Sequence, residues 1–211
     1  VSTAQATGRV ISGAGDVTVN ALAANANLAS VSASGTVTAN VADDLDYSAN
    51  TNIATVDAFV IAANKTGSFS AAQGAKTITL GSGAIAKVKV LTTSDISGTT
   101  LNGSVTKIDV SDNATADLSA AQAQLDITLG SSAVAKLKVS TGTDVSGLTF
   151  DSDVTEFIVT SGTLTVSTAQ ATGRVISGAG DVTVNALAAN ANLASVSASG
   201  TVTANVADDL D

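Results

Sequence analysis

The chain of 211 residues carries a net charge of −9, has a pI near 4.1 and contains no His, Cys, Pro, Met or Trp. Its acidity disfavours binding to nucleic acid or to an anionic membrane surface, because both require clustered Lys and Arg. No apolar run approaches the roughly 20 residues that span a bilayer, so we expect no membrane insertion by this segment. Without His or Cys, the chain lacks the usual ligands of zinc and haem and the usual base of serine and cysteine hydrolases.

Two nested repeats organise the chain. Residues 1–46 recur without a change as residues 166–211. Residues 56–104 and 105–153 are diverged copies of each other, and a third copy lies within 154–211. Perfect identity over 46 residues indicates a tandem array of 165-residue periods. We therefore expect 1–211 to be one continuous segment that holds one period and the start of the next.

Short strand-like segments recur inside these repeats. They begin near positions 56, 85, 105, 134, 154, 182 and 202, so that a longer step, as from 56 to 85, alternates with a shorter one, as from 85 to 105. Small and β-branched residues alternate there with polar ones, and Gly, Asn, Asp and Ser occupy the turns, which is typical of a parallel β-solenoid (β-helix). If each segment opens one coil, about seven coils fill a 165-residue period. Tandem antiparallel β-sandwich repeats are the alternative fold.

The alternation of side chains along a strand assigns residues to faces. It places Phe59, Ile108 and Phe157, which hold the same position in the three copies, in the core on the same side. It also predicts burial of a second set, namely Val88, Val90, Leu137, Val139, Val182 and Val184. It leaves four lysines facing outward as solvated residues that discourage edge pairing, namely Lys87, Lys89, Lys136 and Lys138.

Two kinds of polar residue also recur at fixed places. Gln73, Gln122 and Gln170 are either a stacked amide ladder or polar corner residues. Triplets whose first and third members face outward begin at Thr66, Thr115, Thr163 and Thr201. Outward Thr pairs resemble the arrays of ice-binding solenoids, so ice binding is an alternative function.

No constellation in the sequence indicates a catalytic, cofactor-binding or dedicated metal site. The acidic turns Asp43-Asp44-Leu45-Asp46 and Asp151-Ser152-Asp153 are the places where carboxylates could ligate Ca²⁺, although solvated turns have the same composition. Gly13-Ala14-Gly15-Asp16 lacks the Gly-Gly-x-Gly-x-Asp pattern of calcium-binding nonapeptides. A polysaccharide-active β-helix enzyme is a third possibility, but only Tyr47 and four Phe are available for stacking on sugars.

With its nested repeats, its bias toward Ala, Ser, Thr, Val, Gly, Asn and Asp, and its missing Pro, Cys, His and Trp, the whole chain resembles repeat regions of very large bacterial surface proteins. These include adhesins and surface-layer proteins. The resemblance implies export to the cell surface and an extracellular structural role as a stalk, filament or coat, often with calcium. Exposed coil edges also predict association with copies of the same chain, head-to-tail or lateral.

Overall fold

The computed structural model describes residues 1–206, which form two compact units. The first unit comprises Val1–Leu91 and Thr99–Ser111. The second comprises Thr92–Gly98 and the chain from Asp112 onward. Each unit is built almost entirely of short β-strands joined by turns. The continuity of the whole segment stays a prediction.

The strands are numbered along the chain. Those of the first unit are β1 (Ile11–Gly13), β2 (Val17–Val19), β3 (Val31–Ala33), β4 (Val37–Val41), β5 (Leu45–Asp46), β6 (Ala58–Ile61), β7 (Thr66–Phe69), β8 (Thr77–Leu80), β9 (Ile85–Val90) and β11 (Val105–Val110). Those of the second unit are β10 (Ser94–Asp95), β12 (Thr115–Leu118), β13 (Asp126–Leu129), β14 (Val134–Val139), β15 (Thr143–Asp144), β16 (Val154–Val159), β17 (Thr163–Ser167), β18 (Val175–Gly178), β19 (Asp181–Leu187), β20 (Val196–Ala198) and β21 (Val202–Val206). Single helical turns lie at corners, namely α1 (Thr3–Ala6), α2 (Ala71–Gly74), α3 (Thr168–Ala171) and the 3₁₀ turns Thr51–Ile53 and Gln122–Gln124.

Strands one coil apart pair in parallel. In the first unit β2, β4, β6 and β8 form one sheet, β5, β7, β9 and β11 form a second, and β1 pairs with β3. In the second unit β10, β12, β14, β16, β18 and β20 form one sheet, and β15, β17, β19 and β21 form another. Each unit is therefore a parallel β-solenoid, as predicted, and the antiparallel sandwich is excluded.

The coil is shorter than the sequence steps suggested. Asn20 and Asn40, which are hydrogen-bonded to each other on neighbouring coils, lie 20 residues apart in the sequence. The shorter step between strand starts is therefore one coil. The longer step corresponds to about one and a half coils, so it ends on the other sheet, as from β6 to β9. A 165-residue period thus corresponds to about eight coils rather than about seven.

The buried positions were predicted correctly. The prediction that Phe59, Ile108 and Phe157 lie on the same side of the solenoid was wrong. Phe59, Ile108 and Phe157 are each fully buried. Phe59 lies on β6, whereas Ile108 lies on β11 in the other sheet of the first unit. The chain crosses from Phe59 to Phe69, and two further coils then place Val88 and Ile108 in register with Phe69. One diverged repeat thus spans about two and a half coils, so successive copies fall on alternate sheets. The second predicted set is buried throughout, namely Val88, Val90, Leu137, Val139, Val182 and Val184.

An aromatic cluster fills the first unit. The ring centroids of Tyr47 and Phe69 lie 5.8 Å apart, and those of Phe59 and Phe69 lie 4.7 Å apart. The Tyr47 hydroxyl donates a 2.7 Å hydrogen bond to the carbonyl oxygen of Leu22, and burial raises the pKa of Tyr47, so the phenol stays a neutral donor. Gly67 is required beside this cluster, because a Cβ there would lie 2.7 Å from the Phe69 ring.

Candidate functional site

Ion pairs line an outward face of the first unit. Lys87 Nζ contacts Asp109 Oδ2 on the neighbouring strand, and Lys89 Nζ lies 2.9 Å from Asp46 Oδ2. These lysines face outward as predicted, but they are paired with carboxylates rather than freely solvated. Their side chains are 28% and 33% exposed, which limits what each pair contributes to stability.

The second unit repeats this arrangement one repeat later. Lys136 Nζ lies 2.7 Å from Glu156 Oε2. Lys138 Nζ lies 2.6 Å from Asp95 Oδ2 and 3.7 Å from Asp117 Oδ2, so one ammonium joins two carboxylates. Each bond connects different coils, which indicates that the charges hold neighbouring coils in register.

An Asp-x-Ser turn recurs at Asp46, Asp95 and Asp144. In each turn the carboxylate accepts hydrogen bonds from the backbone N–H and the hydroxyl of the serine two residues later. Asp46 and Asp95 also bind a lysine 43 residues further on, but Leu187 holds the equivalent place for Asp144.

The pKa values of the three carboxyls follow from these contacts. Burial raises the pKa of Asp46, but the hydrogen bonds from Ser48 and Lys89 outweigh it and leave the pKa lowered. Hydrogen bonds from Lys138 and Ser97 lower the pKa of Asp95. The pKa of Asp144 is lowered by Ser146 alone. All three groups are therefore held in the charged form.

The recurring glutamines are corner residues and not an amide ladder. Gln73, Gln122 and Gln170 are buried, and each Oε1 accepts a hydrogen bond from the backbone N–H of the serine three residues earlier. Each Nε2 donates to a carbonyl oxygen of another coil, as Gln122 does to Ile96 at 2.9 Å. A capping box thus starts the turn and also ties it to a neighbouring coil.

Amide stacking does occur, at asparagines that the sequence did not single out. Asn40 Nδ2 donates to Asn20 Oδ1 at 2.8 Å, and Asn205 Nδ2 donates to Asn185 Oδ1 at 2.9 Å. The members of each pair lie 20 residues apart, which is one coil. The 20-residue spacing of these asparagines could have predicted the stacking, but only if the coil length had been known.

The acidic turns bind backbone N–H groups and lysine. Asp44 Oδ1 accepts a 2.6 Å bond from the Thr66 N–H, and Asp43 lies 3.6 Å from Lys65. Asp151 accepts from the N–H groups of Asp153 and Ile127. Across residues 1–206, no group of three or more Asp or Glu is arranged to hold a metal ion. The repeated turn at 208–211 lies outside the described residues.

The two Gly-Ala-Gly-Asp turns, at residues 13–16 and 178–181, also connect coils. Asp16 Oδ1 accepts from the Thr36 N–H and Asp181 Oδ1 from the Thr201 N–H, each at 2.7 Å. Gly178 is required in the second of these turns, because a Cβ there would lie 2.2 Å from the carbonyl oxygen of Val159.

Two of the four predicted threonine triplets continue from coil to coil and two do not. Thr66 lies opposite Ile85 and Thr115 opposite Val134, so these triplets do not continue as columns of threonine. The third members of the predicted triplets at Thr163 and Thr201 do belong to a column, in which Thr165, Thr183 and Thr203 lie in register on β17, β19 and β21. Beside it run Thr163, Asp181 and Thr201.

A pocket of about 270 Å³ opens on the first unit between the turn before β6 and helix α2. Buried Ile53, Val56 and Phe59 lie at its base, and exposed Ala54 and Ala72 lie at its mouth. Lys76 and the buried Gln73 line it on the α2 side together with Ser70, and the remaining lining residues are Ser48, Asn50 and Thr51. This pocket was not predicted from the sequence.

One sequence occurs in two environments. Val37 and Val41 of β4 are 2% and 0% exposed, whereas the identical Val202 and Val206 of β21 are 44% and 54% exposed. β4 has a neighbour on each side, β2 and β6, but within the described residues β21 pairs with β19 alone.

Comparison of the chain with protein-family models, with curated proteins and with solved structures found no match. Among the residues that the structure describes, no helix is long and apolar enough to cross a membrane.

Proposed function

We propose that this chain is a structural repeat module of a very large extracellular bacterial protein, in which 165-residue periods stack coil on coil into a stalk, filament or surface coat. The role is mechanical and not enzymatic. Its binding partners are further coils of the same kind, because each coil has two strand edges that another coil can cover.

The difference in exposure between β4 and β21, which have the same sequence, is the observation that supports this proposal. Residues 37–41 have the same sequence as 202–206 and are covered by β6, which begins at Ala58. In an array, the residues after Asp211 repeat those after Asp46, so an equivalent of β6 follows β21. That strand would bury Val202 and Val206, removing apolar surface from water.

Lengthening the chain tests this directly. Adding residues identical to 47–61 after Asp211 should slow hydrogen exchange of the β21 amides by about a hundredfold. A control extension carries Asp at the positions that correspond to Phe59 and Ile61. It should leave hydrogen exchange of the β21 amides unchanged, because a charged face cannot pack on the core. Equal exchange of β21 with and without the apolar extension would contradict the array.

The extracellular location needs its own experiment. An antibody raised against the segment should label intact cells of the source organism as strongly as permeabilised cells. Labelling that requires permeabilisation would contradict the surface location while leaving the solenoid array untouched.

Association between copies follows from the same strand edges. Sedimentation velocity should show head-to-tail oligomers that grow with concentration, and replacing Val202 and Val206 by Asp should remove them. Oligomers that persist in this variant would indicate lateral association instead. A protein that stays monomeric at about 1 mM, a concentration that reveals even weak association, would contradict self-association altogether.

The threonine column supports ice binding as a second candidate. Thr165, Thr183 and Thr203 lie on successive strands, at the roughly 4.8 Å spacing of a β-sheet. The chain should then produce thermal hysteresis that Thr183→Lys abolishes. Hysteresis indistinguishable from that of serum albumin would exclude this function.

A further inference from the structure

The place in the second unit that corresponds to the pocket is filled by protein. Phe157 holds the position of Phe59, two repeats later. The Phe150 ring packs against Phe157 edge-on, with centroids 5.6 Å apart and an interplanar angle of 79°. The Arg174 guanidinium lies 5.4 Å from the centre of the same ring. An aromatic ring and a cation therefore cover Phe157.

At the equivalent positions the first unit carries a lysine in place of Arg174 but no aromatic residue in place of Phe150. Asn52 and Lys76 hold the positions of Phe150 and Arg174. Asn52 is exposed and does not line the pocket, and Phe69, the ring that packs against Phe59, does not line it either. The pocket and the Phe150 ring thus lie against equivalent core residues, Phe59 in the first unit and Phe157 in the second.

Lys76 brings an uncompensated charge to this space. It lines the pocket, and no carboxylate of the described residues lies within ion-pair distance of its ammonium group, in contrast to Lys65 and Lys89 of the same unit. The neighbouring amide of Gln73 is already satisfied, because it donates to Asn50 and accepts from Ser70. The ammonium is therefore the charged group that the pocket offers to a ligand.

We propose that the pocket binds a small aromatic carboxylate, with the ring in the place that Phe150 occupies in the second unit and the carboxylate paired with Lys76. The volume of about 270 Å³ suits one ring, since an apolar cavity of about 150 Å³ already accepts benzene. A ligand of about ten heavy atoms in an open pocket binds with a Kd of about 1 mM. This site is independent of the array proposed above.

Phenylacetate is the probe for this site. Titrating the ¹⁵N-labelled chain should give saturable shifts at the amides of Ala54, Ala72 and Lys76, with a Kd of about 1 mM. Hexanoate, which lacks the ring, and benzyl alcohol, which lacks the charge, should each bind about tenfold more weakly. Shifts that do not saturate by 50 mM, or equal affinity for hexanoate, would overturn the proposal.

Two substitutions and one control locate the ligand. Asn52→Phe installs the ring of the second unit and should abolish binding without lowering the melting temperature. Lys76→Gln should weaken binding about tenfold, whereas Lys65→Gln, which removes a lysine already paired with Asp43, should leave it unchanged. Should Asn52→Phe fail to fold, Ala72→Leu narrows the mouth instead and should also abolish binding. A folded blocking variant that binds phenylacetate as tightly as the original chain would refute the site.

Discussion

Gln170 Nε2 donates a 2.6 Å hydrogen bond to the carbonyl oxygen of Val145, which lies 25 residues earlier in a neighbouring coil. It also donates to the carbonyl oxygen of Leu148 at 2.8 Å, while its Oε1 accepts from the Ser167 N–H. One buried side chain thus satisfies three backbone groups in two coils.

Gln170→Ala should therefore lower the free energy of unfolding by about 1–3 kcal/mol, because it removes two hydrogen bonds between coils and the capping bond from the Ser167 N–H, while the Val145 carbonyl keeps the Leu148 N–H as a donor. Urea unfolding followed by circular dichroism measures the loss. Gln5→Ala is the matched control, since the sequence around Gln5 is identical but that side chain is exposed and keeps the capping bond to Ser2. Equal losses in the two variants would show that the inter-coil bonds contribute nothing.

Phe157→Ala should cost about 3–5 kcal/mol of unfolding free energy, because it opens a cavity in a fully buried position and removes the surface on which Phe150 and Arg174 pack. Phe150→Ala is the comparison and should cost less, since that ring is 9% exposed. Thermal and urea unfolding of both variants provide the test. A loss below about 1 kcal/mol at Phe157 would contradict the core assignment.

The alternation of apolar and polar residues was enough to predict strands, buried positions and outward lysines, because side-chain direction has a period of two wherever a strand forms. It was not enough to predict the sheet on which a strand lies. Phe59 and Ile108 occupy the same place in the repeat but different sheets, since the repeat is not a whole number of coils.

The inter-coil contacts were equally hidden from the sequence. Lys138 meets Asp95 across 43 residues and Gln122 meets Ile96 across 26, so their pairing depends on the coil length and the sheet assignment together. The pocket was missed for another reason. Its lining residues come from two separate turns, and the comparison with Phe150 requires knowing that Phe59 and Phe157 are the residues on which the pocket and the Phe150 ring lie.

Acid should destabilise the fold. The pKa values of Asp46, Asp95 and Asp144 are lowered in the folded protein, so the unfolded chain binds more protons at low pH. The stability from these groups is present above the unfolded pKa and is lost as pH falls through the lower, folded pKa. The melting temperature should therefore be steady from about pH 7 to pH 5 and fall below about pH 4.

Two variants resolve the source of this acid sensitivity. Asp95→Asn should remove more of the pH dependence than Asp144→Asn, because Asp95 binds both Ser97 and Lys138 whereas Asp144 binds Ser146 alone. Moderate salt should reduce the difference, since the lysine bond is solvent-exposed. A melting temperature that does not change down to pH 2.5 would refute this explanation.

Ser132→Gly should raise the free energy of unfolding by about 0.5–1 kcal/mol. Ser132 has a φ of 56°, a left-handed conformation that costs a residue with a Cβ more than it costs glycine, and the first copy has Gly83 at this place with a φ of 69°. Ser131→Gly is the control and should destabilise, because its backbone is not in that region. Destabilisation by Ser132→Gly in urea unfolding would contradict the assigned turn.

The most direct test of the stacked-coil account is the melting temperature of polypeptides that contain one, two and three 165-residue periods. In a solenoid array each coil is stabilised by its neighbours, so the melting temperature should rise from one period to two and then level off as end coils become a smaller fraction of the chain. Identical melting temperatures for all three lengths would show that the periods fold independently and would contradict the account.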